Sequence, residues 1–228
     1  MGGTLYVIAT PIGNLGDITV RALEILKTVD VIACEDTRQT AKLLQRYDLH
    51  TPLRRLDDHT ERAQAPKLVE WMAQGASIAL VSDSGTPLIS DPGWLLVRHA
   101  IDAGVTVVPI PGPSAMLSAL VVSGLPTDRF VFEGFLPVKS GARKKRLEAL
   151  REGGRTAVLY ESPHRVVKTL EAIREVFGDA QMSVSRELTK QFEETRRGSA
   201  SELLEHFTAH PPRGEFVLVL PPVERTGP

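Results

Sequence analysis

A single cysteine, Cys34, stands in 228 residues, so no internal disulfide can form and no Cys-x-x-Cys zinc framework is available. Aromatic residues are sparse, at 5%. No apolar run approaches the roughly 18 residues that a membrane-spanning helix needs. A formal net charge of −1 leaves no overall excess of either sign. Also missing are G-x-G-x-x-G, the Walker A pattern, H-E-x-x-H and G-x-S-x-G. The ordinary dinucleotide, nucleoside-triphosphate, zinc-protease and serine-hydrolase readings therefore lose most of their support. Residues 1–9 begin like a strand rather than a signal peptide, so a cytoplasmic location is the expectation.

What is present is a globular composition: 42% hydrophobic, 24% charged, 18 Gly and 16 Pro. The length suits one large domain or two small ones. Charge is unevenly placed: residues 139–228 carry 16 Lys+Arg against 13 Asp+Glu, the rest 11 against 15. The excess gathers between Lys139 and Arg155, where Lys139, Arg143, Lys144, Lys145, Arg146, Arg151 and Arg155 face only Glu148 and Glu152. Such a patch on a neutral chain suggests an anionic partner, although a Lys/Arg-rich face is commonly a solvated helix surface.

Periodicity predicts strands at residues 4–9, 30–34, 77–82 and 105–110. It predicts helices after Asp17, taken as a cap, and at 37–47, 61–74, 92–103 and 114–122. Near-continuous apolar strands alternating with helices mark a mostly parallel sheet covered on both faces. The pattern breaks around residues 123–128, which places the boundary between a domain 1–123 and a domain 124–228. Beyond it are expected strands at 130–135, 156–160, 181–186, 192–197 and 215–220, and helices near 142 and at 164–177 and 201–208, an α/β half with a more mixed sheet.

Ligands bind outside the carboxyl ends of the strands in open α/β sheets, and three such ends run into unusual loops. The richest is SDSGTPLISDPG, residues 82–93: prolines stiffen it, and Gly85 permits close approach. Asp91 and Pro92 read as the N-cap and first residue of a helix, which leaves residues 83–87 for ligand contact. PIPGPSA, residues 109–115, is stiff again, and Ser114 at its helix start can hold a carboxylate or simply cap. The third loop is residues 10–16. Glu35 and Asp36 sit where a Rossmann protein keeps its ribose-binding acid, or are merely acids preferred at a helix N-terminus. YESPHR (160–165) and RELTK (186–190) each put an acid and a base at a strand end, suggesting a polar cleft. His50, His59, His99, His206 and His210 read as ordinary residues.

Taken in order, TPIGNLGDIT, ACEDTR, VSDSGTPLISDPG, PIPGPSA, GLPTDRFVFEGFLP, YESPHR, RELTK and PRGEFVLV closely resemble the family of ribosomal RNA small subunit methyltransferase I. This is the RNA-modifying branch of the tetrapyrrole (corrin/porphyrin) methylases. The resemblance implies a two-domain tetrapyrrole methylase fold, mostly parallel in the first sheet and mixed in the second, with S-adenosyl-L-methionine (SAM) in the cleft between the domains. It also implies a homodimer, no metal, and 2′-O-methylation of a cytidine ribose in the decoding region of small-subunit (16S) rRNA or the assembled subunit. By this similarity Pro11, Asp83, Ser84, Gly85, Thr86, Ile89, Ser114 and Ala115 meet SAM from the first domain. Tyr160, Ser162, Gly214 and Glu215 meet it from the second. Glu35 and Asp36 move from a ribose-binding role to the substrate side. Many relatives continue into a small helical domain; this chain, ending eight residues after Leu220, is expected to lack it.

A methyl carried on a sulfonium needs in-line placement of the nucleophile and exclusion of water. A ribose hydroxyl benefits from a side chain that takes its proton. Glu35, Asp36, Glu161 and Glu187 are candidates, and Glu187 and Glu161 are taken as catalytic because both stand at strand ends. RNA phosphates call for cations, here Lys139, Arg143, Lys144, Lys145 and Arg146, with Arg38, Arg165 and Arg186 nearer the cleft. The alternative is a SAM-dependent methylase of a small molecule such as a tetrapyrrole, which needs no basic stretch. A third reading, an RNA-binding protein without methyl transfer, predicts decayed loops at 83–92 and 111–115.

Overall fold

The computed structural model describes residues 2–223 and divides into two compact units, Met1–Ser114 and Ala115–Pro228. Met1 and residues 224–228 lie outside the described residues.

The first unit holds β1 (Thr4–Ile8), α1 (Val20–Thr28), β2 (Val31–Cys34), α2 (Thr37–Arg46), β3 (Leu53–Arg55), α3 (Glu61–Ala73), β4 (Ile78–Val81), α4 (Trp94–Asp102) and β5 (Thr106–Ile110). Its five strands are all parallel, in the order β3-β2-β4-β1-β5. Every residue of β2 and β4 is buried because both sheet faces are covered. Ala22 and Leu26 of α1 and Leu43 and Leu44 of α2 pack with Ile8, Ile32 and Val81 on one face. Leu68 and Met72 of α3 and Leu96 and Ala100 of α4 pack with Leu5, Ala33 and Leu80 on the other. Neighbouring β1 and β4 thus send their chains to opposite faces, and a crevice opens between their carboxyl ends, the usual ligand site of such sheets.

Three local expectations are corrected. Asp17 ends a short 3-10 turn, Leu15–Asp17, and α1 is capped by Thr19, whose hydroxyl accepts from Ala22 N at 3.1 Å. Strand β3 was not predicted, since LRR carries no apolar alternation; it pairs at the edge of the sheet. Helix α4 starts at Trp94, not Pro92, with Gly93 as its N-cap at φ +124°. A Cβ on Gly93 would stand 2.7 Å from Leu80 Cδ2, so the chain enters α4 pressed against the sheet. Asp91 is not the cap: the carboxylate of Glu61 instead accepts from Leu95 N (2.8 Å) and Leu96 N (3.1 Å).

The second unit begins with α5 (Ala115–Val121), followed by β6 (Phe130–Phe135), α6 (Ser140–Glu152), β7 (Thr156–Glu161), α7 (Val166–Phe177), β8 (Gln181–Arg186), β9 (Glu194–Ser199), α8 (Ala200–Ala209) and β10 (Phe216–Leu220). Helix α5, read from the sequence as the last element of the first domain, packs Ala119 and Leu120 against Val158, Val217 and Val219 of the second sheet. The compact units therefore part after Ser114 rather than after Ser123.

The second sheet is mixed, in the order β6-β7-β10-β8-β9: β6 lies parallel to β7, and β10 runs antiparallel to both β7 and β8. Helices α6, α7 and α8 cover its other face through Leu147, Leu170, Ile173, Leu203 and Phe207. A reciprocal capping box between Ser199 and Glu202 starts α8. This topology brings the carboxyl ends of β6, β7 and β8 and the start of β10 to one edge.

Candidate functional site

At the β1/β4 crevice the two loops are tied together. Thr10 N donates to Gly85 O (2.8 Å) and Gly85 N to Thr10 O (3.1 Å), an isolated antiparallel bridge. The hydroxyls of Thr10 and Ser82 reinforce it, donating to Ser82 O (3.0 Å) and Gly85 O (3.1 Å) respectively. Gly85 holds φ +85°, and a Cβ there would stand 3.3 Å from Ile12 Cγ2. The loop after β5 closes the third side: Thr86 Oγ1 donates to Pro113 O at 3.2 Å, and a Cβ on Gly112 would meet Ala9 Cβ at 3.0 Å. Leu88 and Ser90 are held at φ +72° and +67°, left-handed conformations that side chains adopt at a cost and that cluster at functional loops. Of the residues expected here, Asp83 and Ser84 are exposed, Thr86, Ile89, Ser114 and Ala115 are half-buried, and Pro11 and Gly85 are buried.

Beside this cradle lies a polar cavity of about 530 Å³ that brings together Glu35, Asp36, Arg38 and Asp83. Asp36 N donates to Asp83 Oδ1 at 2.9 Å. Asp36 also caps α2 and chelates Arg38 through Nε (3.0 Å) and Nη2 (2.7 Å), which pulls its carboxyl down to about 2. The Arg38 guanidinium is thus engaged although it reaches into solvent. Asp57 and Asp58 in the β3–α3 connection complete the acidic wall. They escaped the sequence reading because β3, the strand that positions them, is too short and polar to recognise. Asp91, freed from the capping role, is pushed up to about 7 by burial first and then by Glu35, Asp83 and Asp58. Burial, and then Asp83, Asp58, Asp57 and Asp36, also raise Glu35.

The shared edge of the second sheet carries the other expected residues. The Glu161 side chain is 1% exposed, and both its oxygens are engaged: Oε1 accepts from Ser162 N (2.9 Å) and pairs with Arg165 Nε (3.3 Å), while Oε2 accepts from Thr169 Oγ1 (2.6 Å). Arg165 Nη2 in turn donates to Leu136 O at 2.6 Å, so this pair fastens the loop after β6. Glu187 sits at φ +49° just past β8. Its Oε1 accepts from Lys190 Nζ (2.9 Å) and Glu215 N (3.0 Å), and Lys190 also bonds Glu215 Oε2 at 2.7 Å. Burial alone would raise Glu187, but the bonds from Lys190 and the Glu215 amide outweigh it and hold the carboxyl below its ordinary value. Gly214 is the floor on which this side chain lies, since a Cβ there would come within 2.3 Å of Glu187 Cδ. Tyr160 meets Phe132 and Phe135 edge-on, at 4.9 and 5.8 Å between ring centroids.

The basic stretch is not the free cationic face expected. Arg143 is buried, Lys144 pairs with Glu175, and Arg146 forms a two-point pair with Glu133. Lys139 and Lys145 are exposed and have no ion pair among the described residues. Arg186 is matched to Glu194 across the β8–β9 ladder, Nε to Oε2 at 2.6 Å. Among the described residues no group of three or more His, Cys, Asp or Glu is arranged to hold a metal ion, and no helix is long and apolar enough to cross a membrane.

Comparison with known proteins places this architecture. The family model of Tetrapyrrole (Corrin/Porphyrin) Methylases matches residues 4–204. A protein of Mesorhizobium japonicum named ribosomal RNA small subunit methyltransferase I is 50% identical over 222 residues, covering 96% of this chain and 76% of that protein. A Bacillus subtilis protein of the same name is 48% identical over 218 residues, covering 96% and 75%. Among solved structures, uroporphyrin-III-C-methyltransferase from Thermus thermophilus superposes with a TM-score of 0.63 at 18% identity, covering 96% of this chain and 92% of that one, a likeness of fold. The chain belongs to the tetrapyrrole (corrin/porphyrin) methylases and, among them, to the family of ribosomal RNA small subunit methyltransferase I, enzymes whose methyl donor is S-adenosyl-L-methionine.

Proposed function

We propose that this chain transfers the methyl group of SAM to the 2′-hydroxyl of a cytidine ribose in the decoding region of small-subunit ribosomal RNA, as a homodimer acting in the cytoplasm where ribosomes are. The observation that carries the substrate class is the 48–50% identity, over 96% of the chain, to relatives named for that RNA. The 2′-oxygen, the cytidine and the decoding region rest on the resemblance of the loop sequences. Exposed Leu117, Val121 and Val122 on and after α5 offer an apolar face for the second copy.

The residues of the first unit suit the donor. SAM presents a flat base, a ribose diol and an amino-acid tail, which are met by backbone groups, hydroxyls and carboxylates held in fixed positions. The bridged cradle has that chemistry: Asp83 and Ser84 stand exposed on a backbone that Gly85 and Gly112 keep close to the strand ends. Asp83, Ser84, Gly85, Thr86, Ile89, Pro11 and Ser114 would hold it at this strand end. When bound, the donor supplies an electrophilic methyl on a cationic sulfonium. The field of Glu35 and Asp83 favours a cation at this strand end.

In this reading Glu187 receives the hydroxyl's proton. Its Oε1 is engaged, and its Oε2 has no hydrogen bond among the described residues. A carboxylate held below its ordinary value is a weak base toward a neutral hydroxyl. It becomes adequate as the new C–O bond forms and the hydroxyl proton turns acidic. Glu161, with both oxygens occupied in the core, positions Arg165 and the loop after β6 instead of exchanging protons.

The test is transfer of labelled methyl from SAM to small ribosomal subunits from cells lacking this protein, followed by nuclease digestion and nucleoside analysis. Label in 2′-O-methylcytidine is the expected result. Label on a base, or transfer only to a tetrapyrrole, would overturn the reading.

A further inference from the structure

Between the first turn of α6 and the outer face of α7 lies a second cavity, of about 300 Å³, that takes no part in the methyl-transfer site described above. It is lined by Ser140 and Gly141 at the helix start and by Arg143, Lys144 and Lys168. No side chain caps α6: its N-cap is Lys139, and the amides of Ser140, Gly141 and Ala142 have no acceptor among the described residues. Space beside Gly141 is open, since nothing lies within 4 Å of where its Cβ would stand. A 13-residue helix thus points free N–H groups and the positive end of its dipole at this opening.

Arg143 is the independent sign of a ligand. It is only 8% exposed, its Nε is buried without a hydrogen-bond partner, and its Nη1 reaches just a carbonyl, Val138 O, at 3.3 Å. Among the described residues no carboxylate lies within ion-pair distance of it. A guanidinium taken out of water with neither anion nor full hydrogen bonding is unfavourable unless something negative answers it. Lys168 adds a second cation with no ion pair among the described residues, while Lys144 is neutralised by Glu175. The acids in the wall, Glu171 and Glu175, are outnumbered.

We infer that the cavity at the start of α6 binds a backbone phosphate of the RNA substrate, through the amides of Gly141 and Ala142 and the side chains of Arg143 and Lys168. The inference rests on the RNA reading proposed above and gives it a defined anchor in place of a diffuse basic face. A phosphodiester matches the parts: a single negative charge, and oxygens that accept from the helix-start amides and from the planar guanidinium. The methyl-transfer residues lie on other loops, so this contact fixes where the RNA strand runs without touching the reaction.

The experiment measures binding of a small-subunit rRNA fragment spanning the decoding region to the full chain over a series of KCl concentrations. The variants are Lys168→Ala, Lys145→Ala and Glu171→Gln. Loss of one phosphate contact should weaken binding by about fivefold near physiological salt and reduce the slope of log K against log salt by about 0.7 to 0.9 for Lys168→Ala. Lys145→Ala removes the same charge from α6 outside the cavity and should lose less than half as much affinity; Glu171→Gln should tighten binding. The Gly141 amide resonance should shift when the RNA is added. Equal losses for Lys168→Ala and Lys145→Ala, or an unchanged slope for Lys168→Ala, would overturn the anchor. If those outcomes occur while the unaltered chain still methylates small subunits, the anchor fails and the RNA reading stands. If the unaltered chain neither binds nor methylates RNA, both fall together.

Discussion

Replacing Gly214 by alanine puts a methyl group where the Glu187 carboxylate now lies. The added Cβ would stand 2.3 Å from both Cδ and Oε1 of Glu187, on a backbone at φ +85°. The left-handed backbone alone costs about 1.5 kcal/mol for a residue with a side chain. Overpacking against Glu187 adds about 1.5 kcal/mol. Glu187→Ala by itself gives up bonds to Lys190 and the Glu215 amide, worth about 1.5 kcal/mol in a partly exposed setting. In the double variant the new methyl occupies the room Glu187 has vacated, so only strain and lost bonds remain, about 3 kcal/mol in all. Independent effects would instead reach about 4.5 kcal/mol, leaving a coupling of about 1.5 kcal/mol. Chemical denaturation followed by circular dichroism measures the cycle, because both tryptophans, Trp71 and Trp94, lie in the first unit and their fluorescence would follow that one. Additivity within about 0.5 kcal/mol would refute the claim that Gly214 exists to seat Glu187.

Glu161→Gln should destabilise the chain by about 2 kcal/mol, because it removes the charge partner of Arg165 from the core. A denaturation curve unchanged by this variant, coupled with abolished methyl transfer, would make Glu161 the proton acceptor after all. Asp91, raised in the folded chain to about 7 from an ordinary 3.8, binds more protons when folded than unfolded between those values. Stability should therefore fall as pH rises from about 4 to about 7, and Asp91→Asn should flatten that fall and raise Tm above neutral pH. A Tm profile that is identical in the two proteins across this range would show that Asp91 is not buried among the acids.

Much of the fold was legible because its signals are local and redundant. Strands β2 and β4 are apolar at every position and are buried at every position, and the helices between them carry periodic faces that match one sheet side each. Element boundaries failed where a distant residue decides them. Nothing near Trp94 announces that Glu61, on α3, will cap its helix, so Asp91 was assigned a role that a remote carboxylate performs. Helix α5 is apolar enough to join either unit, and only the partner surface of Val158, Val217 and Val219 settles which. At the site, the loops rich in Gly, Pro and Ser stood out in the sequence. Strain at Leu88, Ser90, Glu187 and Thr189 did not, since none of these is a residue type associated with positive φ. The pairing within the basic stretch was not legible for a physical reason: a run of cations shows charge but not its partners, and Glu133 and Glu175 arrive from other elements.

The account turns on the cradle between β1 and β4 as the seat of the methyl donor, and a calorimetric titration of SAM into the unaltered chain and into Gly85→Ala tests it directly. An alanine at φ +85° costs about 1 to 2 kcal/mol and crowds Ile12 Cγ2 at 3.3 Å, which displaces the bridge to Thr10 while leaving the rest of the sheet intact. The account predicts that Gly85→Ala stays folded at the titration temperature and binds SAM at least about tenfold more weakly, a change of about 1.4 kcal/mol. Equal affinity in the two proteins would contradict it and move the donor site away from this crevice.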